Sequence, residues 1–267
     1  VEVNVLTIGA SGVTAFAGTN GPYLSDTDND GDLAEETPNE DAIGLQITAV
    51  DFGLALFKPK NSLGGDSRKW TALKATVGGA EFVGVDGITI AVKSLGVEIN
   101  RNSGTKNGQA NATFADFGAS PFGVNMGNDI ITLDFVGTSG AVTKAQGRVA
   151  LDVLGFFAVE GDFGFERRSG SVRVFDPATG GTETVQANMM AVAATNVNAF
   201  AGVDGPYKSD TNNDGVIDGQ DELNDDAMGL QLEGVTFALV TVKPVRTPTN
   251  TGDNRSWLAL KAGVDDA

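Results

Sequence analysis

The chain has 267 residues and a formal charge of −17, from 35 acidic against 18 basic side chains, with neither histidine nor cysteine. That excludes Ser-His-Asp and Cys-His catalysis, disulfides, and the usual zinc, haem and iron–sulfur ligation. It leaves carboxylates, amides, hydroxyls and backbone carbonyls, a donor set suited to hard cations, and an acidic surface that repels nucleic-acid phosphates.

Thirty-six glycines and 7% aromatics point to many turns and strands rather than long helices. No apolar run approaches the roughly 20 residues of a membrane helix. The sequence begins at Val1 without a charged leader or initiator Met, so it is expected to be a processed or excerpted piece of a longer polypeptide.

In chain order, Ala15-Phe16-Ala17-Gly18 and Gly21-Pro22-Tyr23 read as core and turn, followed by an acidic loop over residues 26–41. Period-two alternation then predicts strands at 42–57, 70–77, 80–85, 87–99, 129–136 and 141–151. Residues 151–166 read as one long strand with an apolar face, and 171–175 as its hairpin partner beyond a Ser-Gly turn. Further strands are predicted at 185–195, 228–243 and 257–263, on either side of a second acidic loop. Asp86-Gly87, Asn107-Gly108, Ser139-Gly140 and Gly180-Gly181 mark turns. The fold class is all-β: long antiparallel strands in a sandwich-like or elongated sheet, with helix-poor acidic loops and at most a short helical turn beside them.

The strongest signal is self-similarity. Residues 15–32 and 199–216 share 13 identities in 18 positions, at an offset of 184. Asp41-Ala42-Ile43-Gly44-Leu45-Gln46 matches Asp226-Ala227-Met228-Gly229-Leu230-Gln231 at offset 185, and Gly65-Asp66-Ser67-Arg68-Lys69-Trp70 matches Gly252-Asp253-Asn254-Arg255-Ser256-Trp257 at offset 187. The first copy therefore covers 1–184 and a truncated second copy 185–267; the alternative phase is a partial unit over 1–79 and a full one over 80–267.

Residues 26–41 hold eight carboxylates and residues 210–226 hold seven, with no Lys or Arg in either loop, so the rest of the chain carries a charge of only −2. Both loops fit D-x-[DN]-x-D-G, in which alternate side-chain oxygens surround a cation and the glycine permits the sharp turn. In the second loop the expected Ca²⁺ ligands are Asp210, Asn212, Asp214, the Val216 carbonyl, Asp218 and Asp221. In the first they are Asp26, Asp28, Asp30 and the Asp32 carbonyl. Position 12 there is Thr37, so Glu36, the counterpart of Asp221, or its neighbour Glu35 is expected to close the site, with Asp41 nearby.

Gly65-Asp66-Ser67 has no histidine to activate the serine, and no enzymatic activity is expected. The recurring Gly-Asp-x-Arg-x-Trp instead predicts a turn whose Arg68 or Arg255 packs on, or pairs beside, Trp70 or Trp257. Asn111-Ala112-Thr113 is a formal glycosylation sequon.

The two loops resemble the calcium loops of EF-hands, dockerins and thrombospondin type 3 repeats. With the domain-sized repeat, the absence of Cys and the abundance of Gly, Asn, Thr and Val, the whole chain resembles tandem repeats of giant bacterial surface proteins, adhesin stalks and fibre-forming proteins. The resemblance implies an extracellular or cell-surface structural module, rigidified by Ca²⁺ and partnered by copies of itself. Two alternatives are a Ca²⁺-dependent carbohydrate- or surface-binding adhesin module and a groove for apolar ligands along residues 151–166.

Overall fold

The computed structural model describes residues 1–31, 33, 35–61, 65–208, 211–212, 220–246 and 252–264. Alternating, β-branched-rich sequence produces nearly continuous strand. The main-sheet strands are β1 (Val3–Thr19), β2 (Ile43–Pro59), β3 (Lys69–Val83), β4 (Ile88–Ser103), β9 (Val142–Val153), β10 (Phe157–Asp176), β11 (Gly181–Val203), β12 (Met228–Pro244) and β13 (Trp257–Gly263). They form one nine-stranded antiparallel sheet in the order β1-β2-β3-β4-β9-β10-β11-β12-β13. Between β4 and β9 lie two small hairpins, β5 (Thr105–Lys106) with β6 (Gln109–Ala110) and β7 (Phe122–Asn125) with β8 (Ile130–Leu133). A three-residue 3₁₀ turn at Gly137–Ser139 is the one helical element among the described residues, and no helix there is long and apolar enough to cross a membrane.

The all-β expectation holds, and of the two architectures expected the elongated sheet is the one observed. Several boundaries differ. Val3–Thr19 is a full strand that takes in Ala15-Phe16-Ala17-Gly18, and Gly21-Pro22-Tyr23 follows it outside the strand. The segments 70–77 and 80–85 are one strand, β3. Residues 151–166 are not one strand: Leu154 (φ 53°) and Gly155 (φ 67°) turn the chain, so β9 ends at Val153 and β10 begins at Phe157. Conversely, Ser169-Gly170 does not turn; β10 runs through it to Asp176, whose Oδ1 accepts a hydrogen bond from Ala178 N at 2.9 Å in the actual hairpin turn.

The two faces of the sheet differ. On one, the β7–β8 hairpin covers β1–β3, with Ala55, Ala72, Val124 and Leu133 fully buried between them. Phe57, Phe117 and Phe122 stack with ring centroids 5.5–5.8 Å apart, and Phe135 lies 6.4 Å from Phe117. Gly9 makes this approach possible, because a Cβ there would collide with the Asn125 carbonyl. Beyond the hairpin this face carries the cross-strand row Lys74, Glu98, Lys144 and Glu166, alternating in charge.

The opposite face carries an unbroken apolar row: Ala10, Phe52, Ala75, Val97, Ala145, Phe165, Val192, Leu239 and Leu260, one from each strand. A parallel row runs from Val13 through Val50, Val77, Leu95, Gly147, Phe163, Ala194 and Phe237 to Ala262. Phe165 and Leu260 are exposed.

The Gly-Asp-x-Arg-x-Trp expectation holds in both places. Arg68 Nε and one terminal nitrogen donate to the two Asp66 oxygens at 2.8 and 2.7 Å, and the guanidinium lies 5.2 Å from the Trp70 ring centroid. Arg255 makes the same fork with Asp253, at 2.9 and 2.7 Å, lies 5.3 Å from the Trp257 ring, and also donates to Glu183. The sequon residues brace the Trp70 end of β3: Trp70 Nε1 donates to the Thr113 carbonyl at 2.9 Å, and the Asn111 side-chain oxygen accepts from Thr113 N and Oγ1 at 3.1 and 2.8 Å.

Leu133→Ala empties a fully buried site and is expected to lower the unfolding free energy by about 2–5 kcal/mol, read by urea denaturation; a negligible change would show that the hairpin does not unfold with the sheet. The Arg68 and Arg255 hydrogen bonds hold Asp66 and Asp253 each down to about 2, below the unfolded value of about 3.9. Their stabilisation is complete above that unfolded value and is lost as pH falls through the folded one. Stability should therefore decline between about pH 4 and pH 2, and an Asp66→Asn, Asp253→Asn double variant should decline less over that interval; an unchanged slope would contradict the assignment.

Candidate metal centre

Each acidic loop joins two strands with the same pairing. β1 meets β2 through Ala15↔Ile47, Phe16↔Gln46, Ala17↔Leu45 and Gly18↔Gly44; β11 meets β12 through Ala199↔Leu232, Phe200↔Gln231, Ala201↔Leu230 and Gly202↔Gly229. The register shifts also coincide, at Ala10/Val13 and Val13/Ala15 in one pair and Ala194/Val197 and Val197/Ala199 in the other. At the loop entrance the Phe16 ring covers Gly21, and the Phe200 ring covers Gly205, so closely that neither glycine has room for a Cβ. This accounts for the recurring spacing from Ala-Phe-Ala-Gly to Gly-Pro.

An asparagine closes the base of each loop. Asn39 N donates to the Tyr23 carbonyl at 2.8 Å, and its side chain donates to the Asn20 and Pro22 carbonyls at 2.7 and 3.2 Å. Asn224 does the same with the carbonyls of Tyr207 at 2.9 Å, Asp204 at 2.6 Å and Pro206 at 3.3 Å. Neither residue stands out in the sequence as a ligand. The signal that could have found them is the identity of Asn39 and Asn224 two residues before the matched Asp-Ala pairs.

Within the first loop, Gly31 takes φ 87° and Asn29 φ 62°, the left-handed conformations that these residue types accept. Gly31 N donates to Asp26 Oδ2 at 3.0 Å, and Asp30 N to Asp28 Oδ1 at 3.1 Å. The turn thus folds the Asp26 and Asp28 carboxylates together, and Glu36 reaches back to them from the far side. Ligand oxygens of Asp26, Asp28 and Glu36 all lie within 4.8 Å of one another. Oxygens on one Ca²⁺ at about 2.4 Å are at most about 4.8 Å apart, so this spacing fits a shared ion. Asp26 Oδ1 is buried and makes no hydrogen bond, the condition a metal contact relieves.

Glu36 is held in place by Thr27, whose backbone N and hydroxyl donate to its two oxygens, both at 2.7 Å. In the second loop the equivalent Thr211 donates from N and Oγ1 to Asp221 Oδ1 at 3.0 and 3.3 Å, and Asp221 is buried. Glu36 and Asp221 thus occupy corresponding positions. Asp30 lies outside the carboxylate trio, as do Glu35 and Asp41; Asp41 N instead donates to Asn39 Oδ1. Asn212 and Asp221 are the expected second-loop ligands that fall among the described residues. Asp32, Asp210, Asp214, Val216 and Asp218 lie outside them.

Among the other candidates, the Ser67 hydroxyl is engaged with Thr105, whose N donates to it at 3.0 Å. A hollow lined by Leu151, Ala158, Val159 and Phe200 has a volume of about 190 Å³, and an open, mainly apolar one lined by Val5, Leu6, Leu56, Phe57 and Trp70 about 520 Å³. No protein-family model matches the chain, and no curated protein or solved structure matches it.

Glu36→Gln removes one charge from the trio while keeping its shape. If the trio holds Ca²⁺, the variant weakens binding roughly tenfold or more, read by calorimetric titration; unchanged affinity, or no Ca²⁺ binding by the parent chain, would contradict the site.

Proposed function

We propose that the chain is a structural module of an extracellular bacterial fibre or giant surface protein, stiffened by Ca²⁺ in its two acidic loops and associated with copies of itself. One observation carries the reading: two carboxylate-rich loops hang from hairpins of identical register in one open sheet, each closed by an asparagine and a threonine–carboxylate contact. Fixing the base of a loop preorganises its oxygens and lowers the entropic cost of gathering like charges around a cation. The ion then offsets their repulsion, and its binding free energy adds to folding.

The self-association part draws on the sheet face, which carries an apolar band nine strands wide with Val13, Phe165 and Leu260 exposed on it. Contiguous apolar surface of this extent marks an interaction face. The same band, which includes Phe163 and Phe165, also favours a second reading, a surface for apolar ligands.

Thermal unfolding in Ca²⁺ and in EDTA tests the reading. Calcium at about 100 times its dissociation constant contributes about 2.7 kcal/mol per site, which raises Tm by roughly 5–10 °C for a domain of this size. Sedimentation in parallel should show Ca²⁺-dependent self-association. A Tm and sedimentation profile identical in EDTA and Ca²⁺ would overturn the calcium-stiffened module. Saturable binding of an apolar dye by a monomer that never self-associates would favour the second reading.

A further inference from the structure

β1 and β11 are matched strands in unequal surroundings. Both pair with the following strand in the same register. β11 is also paired along its other edge by β10, through Phe157↔Ala201, Ala158↔Phe200, Val159↔Ala199 and onward to Asp176↔Gly181. Among the described residues nothing pairs with the corresponding edge of β1. The consequence appears at matched positions. Val197 is 6% exposed and its counterpart Val13 is 37% exposed; Met189 is 9% exposed and Val5 is 47%. The β7–β8 hairpin packs beside β1, so β1 is the more exposed strand despite having the additional cover.

The composition of β1 points the same way. Long edge strands are usually blunted by charge, proline or brevity to stop other chains pairing with them. β1 is 17 residues long and contains no Asp, Glu, Lys, Arg or Pro. Its pairing groups are therefore offered without any of these protections.

We infer that the open edge of β1 is a docking site for a strand of the β10 pattern supplied by another copy of the repeat. The incoming strand adds antiparallel, in the register that β10 holds on β11. Transferring that register by the offset of 184 places Val159 of the incoming strand opposite Ala15, Ala158 opposite Phe16, Phe163 opposite Ala10 and Phe165 opposite Ile8. The sheet then continues from one copy into the next without a break. This rests on the reading that copies adjoin, and it names the surface and the strand through which they do so. β10 within this chain is already paired on both sides, so the donor is the equivalent strand of a different copy.

The chain has no cysteine, so a single introduced pair reports the register cleanly. Gly202 N donates to the Phe156 carbonyl; by the antiparallel alternation, Val159 and Ala199 form a non-hydrogen-bonded pair, the closer kind and within reach of a disulfide. The experiment mixes the full chain carrying Ala15→Cys with a peptide of residues 157–176 carrying Val159→Cys, under mild oxidation. The control peptide carries Phe163→Cys instead. The expected result is a disulfide formed at least about tenfold faster with the Val159→Cys peptide and suppressed by excess unmodified peptide. Equal rates for both peptides, no crosslink, or preferential dimerisation of the Ala15→Cys chain with itself would each overturn the inference. If the peptide precipitates, residues 142–176 joined ahead of Val1 supply the same strand intramolecularly, and the same cysteine pair must close. Both forms are scored in EDTA and in Ca²⁺. A registered crosslink without Ca²⁺ binding would sink the calcium reading alone, and Ca²⁺ binding without the crosslink would sink the docking inference alone.

Discussion

Backbone pairing in a single antiparallel ladder is the constraint on which everything else in this protein depends. A conventional β domain buries one face of its sheet against a second layer, so side-chain packing and strand register reinforce each other. Among the described residues that layer is the β7–β8 hairpin over β1–β3, with the segment before it reaching β4 where Asn100 Nδ2 donates to the Ala115 carbonyl. Elsewhere the strands are held by their ladder, by the buried Ala187, Met189 and Val242 cluster against Trp257, by ion pairs such as Arg148 with Glu160, and by the Arg-on-Trp turns. A one-residue slip in such a sheet would move the apolar rows onto the polar face, so register carries the specificity that a core provides elsewhere.

The acidic loops follow from that ladder. Their first and last residues are fixed by the Gly18↔Gly44 and Gly202↔Gly229 pairs, and the phenylalanine rings packed over the following glycines set where the chain leaves the sheet. Asn39 and Asn224 then tie the returning chain to the departing one. Charge is thereby concentrated at two points of a nearly neutral scaffold rather than spread over it. A net charge of −17 would suggest a diffuse polyanion; instead 15 of the 35 acidic residues sit in the two loops.

Much of this was legible in the sequence, and the misses have physical causes. The acidic loops announce themselves by spacing, and Trp70 and Trp257 by the recurring Gly-Asp-x-Arg-x-Trp. β1 was hidden because its glycines and alanines weaken the alternation signal; it is defined by its partner β2 rather than by its own pattern. The turn between β9 and β10 was hidden because its tip, Leu154-Gly155-Phe156, is apolar, so the alternation reads through it; both Leu154 and Phe156 are exposed. Ser169-Gly170 misled in the opposite direction, since turn-type residues sit inside a strand that β11 pairs straight through them, at Ser169↔Asn188 and Gly170↔Ala187. Asn39 and Asn224 act through main-chain carbonyls, which no ligand motif encodes. The clustering of Asp26, Asp28 and Glu36 was readable only by assuming that the two loops correspond; the threonine contacts supply the geometry behind that assumption.

Hydrogen exchange resolved along the chain, with and without Ca²⁺, tests the central claim most directly. The account predicts that Ca²⁺ slows exchange in both loop regions, residues 23–41 and 207–227, and leaves the paired interior of β3, β4, β9 and β10 unchanged. Exchange that is the same in both loops with and without Ca²⁺, or that slows in only one of them, would contradict two equivalent cation sites carried by one continuous sheet.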